Sequence, residues 1–119
     1  MANAVEVVKS LMGVDGAVAA IIVDAESGLV LAAQSNGFDT DTAAAGNTRV
    51  VLAKRDTMRM LGLKDSIEDI LITLGTQLHL IAPLPSNDAV FGYLVVEKSK
   101  TNLGMARSQL RQGMAELEY

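Results

Sequence analysis

Cysteine is absent from the 119-residue chain, and so is tryptophan. The first absence excludes disulfides, thiolate nucleophiles and Cys-ligated zinc or iron–sulfur sites. It also fits a reducing compartment. Aromatic residues make up only 3% of the chain. The core must therefore come from Val, Leu, Ile, Ala and Met, and flat rings for stacking bases or sugars are scarce. His79 is the one histidine. With no second His and no Cys, a nucleophile–base pair for hydrolysis is hard to assemble, and His79 reads as a half-exposed strand residue. Lys and Arg number 10 against 14 Asp and Glu, for a net charge of −4. That argues against nucleic acid as a partner, since such binding rests on cations neutralising phosphates. Neither G-x-x-x-x-G-K-[ST] nor G-x-G-x-x-G occurs, so no nucleotide or other cofactor is expected. No apolar run reaches the roughly 18 residues that would suggest a membrane helix. The opening Met1-Ala2-Asn3-Ala4-Val5-Glu6 lacks the basic and apolar regions of a signal peptide. A cytoplasmic protein without direct membrane insertion is the expectation.

What is present is an aliphatic chain with 50% hydrophobic residues. Its length suits one domain over residues 1–119. A helix is predicted over residues 3–12 from the spacing of Val5, Val8, Leu11 and Met12. Ala17–Val23 and Leu29–Ala33 read as a hairpin of strands buried on both faces. A long helix is expected from Thr42 to Leu61, closed by Gly62. Ile70–Leu74 and the alternating stretch from Gln77 to Ala82 form a second hairpin about Gly75-Thr76. The segment Pro83 to Asp88 reads as a loop that proline keeps out of the sheet, and Ala89–Glu97 as a fifth strand. A last helix, capped by Thr101 or Asn102, carries the stripe Leu103, Ala106, Leu110, Met114 and Leu117. The order α-β-β-α-β-β-β-α defines an α+β fold: one five-stranded antiparallel sheet with helices on both faces.

Two features stand out as candidate sites. The first is the knot Asp24-Ala25-Glu26-Ser27-Gly28. A calcium loop starting at Asp24 would need Gly at its sixth position and Glu at its twelfth. Leu29 and Ser35 stand there instead, so the knot reads as a turn and no metal is expected. The second is the long helix. At 100° per residue it shows a broad arc of Ala43, Gly46, Val50, Ala53, Thr57, Met60 and Leu61, and a narrow stripe of Ala44, Val51 and Met58. One arc suffices to dock a helix on a sheet. The stripe either touches neighbouring loops or forms a homodimer seam, and Ala44, Val51 and Met58 are assigned to that seam. Ile70 and Ile72 of the third strand join it if that strand lies at the sheet edge; Glu68 and Asp69 could instead protect the edge. Arg49, Lys54, Arg55 and Arg59 gather on the same helix. They form either a solvated face or a docking patch for an acidic partner. Leu52, Arg55 and Arg59 are the expected partner-facing residues.

The stretches "GVDGAVAAIIVDAESGLVLAA" and "KTNLGMARSQLRQGM" resemble the opening and the final helix of the roadblock family. That family is related to dynein light chains and bacterial gliding-motility regulators. The resemblance implies a profilin-like layout, with the long helix on one face of the sheet and the terminal helices on the other. It implies dimers joined through the long helix and third strand. It also implies a regulator or adaptor of a small Ras-like GTPase, not an enzyme, able at most to activate its partner without supplying a catalytic residue. A GTP-independent scaffold or motor-adaptor subunit is the alternative.

Overall fold

The computed structural model describes residues 2–119. Helix α1 (Ala4–Leu11) starts at Asn3, whose side chain accepts the Glu6 amide while the Glu6 carboxylate accepts the Asn3 amide. Strands β1 (Ala17–Asp24) and β2 (Leu29–Ser35) follow. Helix α2 (Thr40–Met60) comes next, then β3 (Ile70–Thr73), β4 (Gln77–Leu84), β5 (Asn87–Glu97) and α3 (Leu103–Glu116). Helix α2 begins earlier than predicted because Asp39 caps it: that carboxylate accepts both the Thr42 amide and the Thr42 hydroxyl. Asn102 caps α3.

All five strands form one antiparallel sheet in the order β2-β1-β5-β4-β3. β1 and β5 are central, which explains their apolar residues on both faces. One core joins the sheet to α1 and α3 through Val8, Leu11, Ile22, Leu80, Leu94 and Leu110. The other joins it to α2 through Ala44, Val51, Ile21, Ile81, Phe91 and Tyr93. Each fully buried side chain of the larger kinds contributes about 1.5–3 kcal/mol.

Three expectations need correction. β2 is an outer strand rather than one covered on both sides: Leu29 and Leu31 are 67% and 38% exposed. In α1, Val7 takes the buried place expected of Val5, which is exposed. Pro83 lies within β4, opposite Phe91 of β5. The backbone alternation explains this last difference. Leu74 donates to the Gln77 carbonyl, and Lys98 donates to the Thr76 carbonyl. Gln77, His79, Ile81 and Pro83 therefore aim their main-chain groups away from β5. β3 pairs only with Leu78–Ile81, so the amide hydrogen that Pro83 lacks would have faced an open edge.

A candidate interaction surface on α2 and the β3 edge

The acidic knot is a corner. The Asp24 carboxylate accepts the Glu26 amide at 3.0 Å and the Ser27 hydroxyl at 2.9 Å, and Gly28 takes the positive φ of 75° that closes the turn. Both carboxylate oxygens of Asp24 are thus spent on its own loop.

On α2 the two expected stripes trade places. Ala44 and Val51 are fully buried, with Thr48 between them, in the layer between α2 and the sheet. They are held by the chain's own core and are not available to a second copy. Met58, last of that stripe, is half-buried. The later part of the broad arc is exposed, Val50 37%, Met60 80% and Leu61 65%, while Ala43 at its start packs against the core. Small inner residues explain the choice. Ala44 and Thr48 let the helix approach the sheet closely, and the Thr48 hydroxyl donates to the Ala44 carbonyl at 2.8 Å instead of facing the apolar layer unpaired.

β3 is the outer strand on its side of the sheet, and its Ile70 and Ile72 are half-buried on the α2 face. Asp69 does not guard that edge. Its nearly buried carboxylate receives both Arg107 Nε and Nη2, at 2.8 and 2.7 Å, in a fork that ties α3 to the start of β3.

Beside β3 on the α2 face lies a small polar group. His79 of β4 pairs with Ile72 across the β3–β4 ladder. Its Nδ1 meets the Tyr93 hydroxyl, and its Nε2 lies 2.9 Å from Gln77 Oε1. These partners assign the proton to Nε2, with Nδ1 accepting from tyrosine. Phe38 and Tyr93 both meet the imidazole edge-on. Burial pushes the Tyr93 phenol up to about 12, so it stays a donor. Burial also lowers the His79 pKa from 6.5, so the folded chain holds the neutral ring. The unfolded chain then binds the extra proton first. Stability from this group is complete above pH 6.5 and falls as the pH drops through the lowered folded value. His79→Asn should therefore flatten the dependence of urea-unfolding free energy on pH below 6.5; an unchanged slope would place that dependence elsewhere.

Among the expected partner-facing residues, Arg55 and Arg59 line a common cavity of about 620 Å³ with Met58, whereas Leu52 does not line it and is 43% exposed. The cavity is completed by the segment from Leu63 to Glu68, by the end of β4, and by Arg111 and Ala115 of α3. No sequence pattern pointed to it, because its walls come from four separate parts of the chain.

This architecture is the roadblock fold. A Roadblock/LC7 domain from Streptomyces avermitilis superposes with a TM-score of 0.80 at 12% identity, covering 95% of this chain and 92% of that one. The gliding protein MglB from Thermus thermophilus gives 0.79 at 19% identity, over 94% and 83% of the two chains. MglB from Myxococcus xanthus gives 0.74 at 15% identity, over 93% and 85%. No family model matches the sequence, and no curated protein matches it. No helix among the described residues is long and apolar enough to cross a membrane.

Proposed function

We propose that this chain is a cytoplasmic homodimeric regulator or adaptor that binds a small Ras-like GTPase and modulates its nucleotide state or location. The observation that carries this reading is the set of large apolar side chains that α2 leaves exposed, Val50 and Leu52 on its two flanks and Met60 and Leu61 at its C-terminal end, on the same helix as Arg55 and Arg59. A surface of this kind, large side chains rimmed by cations, marks a protein contact. Self-association is assigned to the outward arc of α2 with Ile70 and Ile72 at the β3 edge. Partner binding is assigned to Leu52, Arg55 and Arg59. The fold shared with gliding proteins supports the reading. The regulator needs no catalytic residue of its own, because it acts by preferring one state of its partner.

The test is capture of a Ras-like GTPase from the native cell on immobilised chain, with the recovered protein loaded with GDP or a GTP analogue. A regulator should hold one state about tenfold more tightly, since equal affinity shifts no equilibrium. Turnover of GTP is then measured with and without the chain. Equal capture of both states would favour the GTP-independent scaffold.

A further inference from the structure

We propose that the cavity at the free end of β4 receives an extended acidic segment of the partner protein. One carboxylate would meet Arg55, and one backbone amide would donate to the Pro83 carbonyl. This rests on the reading of this end of α2 as partner-facing, and names what that surface recognises.

The cavity exists because β3 is short. It pairs with Leu78–Ile81 and stops, while β4 runs on through Ala82, Pro83 and Leu84. Beyond Ile81 the outer side of β4 has no strand neighbour among the described residues. The alternation along β4 points the Pro83 carbonyl to that side, and proline supplies no donor beside it. The edge therefore offers an acceptor alone. An open strand edge of this kind takes an extended chain through main-chain hydrogen bonds. Here it would take a short one, since a single carbonyl cannot template a long strand. That limit also keeps the edge from pairing indiscriminately.

The walls set the side-chain preference. Met58, Leu63 and Ile67 give them apolar surface among the charged residues. Three guanidinium groups line the cavity, and two are engaged: Arg59 pairs with Asp56, and Arg111 with Glu68 and Asp69. Arg55 is half-buried and, among the described residues, has neither an ion pair nor a side-chain hydrogen bond. Asp65 and Asp88 also line the cavity, but both are exposed, and Asp65 already accepts the Ser66 amide. Water screens those two carboxylates more than it screens the half-buried guanidinium. A donor without an acceptor on α2 and an acceptor without a donor on β4 fit one ligand chemistry, an acidic residue within a peptide. The volume falls within the range of about 300–1,000 Å³ typical of ligand sites.

The probe is a capped hexapeptide of alternating valine and glutamate, titrated into the isotopically labelled full chain and followed by amide NMR shifts. Three controls accompany it: the valine–lysine peptide, the same valine–glutamate peptide with N-methylated amides, and glutarate alone. Saturable shifts at Arg55, Met58, Ile67, Ala82 and Leu84 are expected with the first peptide, together with weaker binding of all three controls. Arg55→Gln should weaken the peptide about tenfold, the worth of one charge-assisted hydrogen bond. Arg55→Lys should recover only part of that, because it keeps the charge and loses the fork. No shifts at millimolar peptide, shifts confined to the β2 edge, or an unchanged affinity in Arg55→Gln would overturn the proposal. Equal binding of glutarate or of the N-methylated peptide would reduce the site to an anion pocket and overturn it too. GTPase capture can succeed while the peptide fails, so the two readings fall separately.

Discussion

Val51→Asp is expected to unfold this chain, and Val50→Asp, one residue earlier, is expected to leave it folded while breaking its self-association. Val51 has no exposed surface and sits in the layer between α2 and the sheet. An aspartate there either keeps its charge in an apolar site or takes up a proton at neutral pH. Together with the lost valine contacts, either course costs about 4 kcal/mol or more. A domain of this size has roughly 5–15 kcal/mol to lose. The urea midpoint should fall steeply, with aggregation or loss of helical circular dichroism near physiological temperature. Val50 is 37% exposed, on a flank of the helix. Aspartate there should change monomer stability by about 0.5 kcal/mol or less, as at other surface positions. Sedimentation at increasing concentration should show the native chain associating and Val50→Asp remaining a single particle. The reverse outcome, a folded monomer from Val51→Asp and full association by Val50→Asp, would return the seam to the inner stripe.

The exchange of faces on α2 shows where hydrophobic patterning stops being informative. The inner stripe is built of Ala44, Thr48 and Val51, whereas Val50 and Leu52 are exposed on the two flanks and Met60 and Leu61 at the helix end. The inner residues are small and several of the exposed apolar ones are larger, so side-chain size does not mark which face of the helix meets its own sheet. Close approach to the sheet suits small residues inside, and burial within this chain does not account for the large ones left exposed. Element order was legible for a different reason. Positive-φ glycines at Gly28 and Gly62, the Gly75-Thr76 turn and the caps at Asp39 and Asn102 punctuate the chain locally. Edge status was not legible: β2 reads like a buried strand because its neighbours, not its residues, make it an edge. The Arg107–Asp69 fork joins residues 38 apart and leaves no local trace. The cavity beside Arg55 is likewise a product of strand length and loop path. The sequence offered the helix and its arginines as candidates but did not show which of the helix's residues the fold would bury.

Gly92 carried a signal that periodicity alone passes over: a lone glycine inside an otherwise continuous apolar strand marks a close approach. It lies in β5 opposite Ile22 of β1 and Ala82 of β4. A Cβ added there would stand 2.5 Å from Met114 Sδ and 3.1 Å from Leu110 Cδ1, both on α3. Gly92→Val should therefore destabilise the chain by about 3 kcal/mol, the upper range for overpacking a closed core. Gly92→Ala should cost less, about 1 kcal/mol, because the methionine end can swing aside and alanine restricts the unfolded chain. A double-mutant cycle locates the cause. In a Met114→Ala background, itself destabilised by roughly 2–5 kcal/mol, the alanine at 92 has room and refills part of the cavity. Its penalty should vanish or reverse, giving a coupling of about 1–2 kcal/mol by urea unfolding. Additive effects would mean that α3 does not seat on β5 at this point. Because Gly92 faces α3 and not α2, the folded fraction of each variant should still associate like the native chain. Stability and self-association would then separate by face of the sheet, as two cores on opposite sides of one set of strands require.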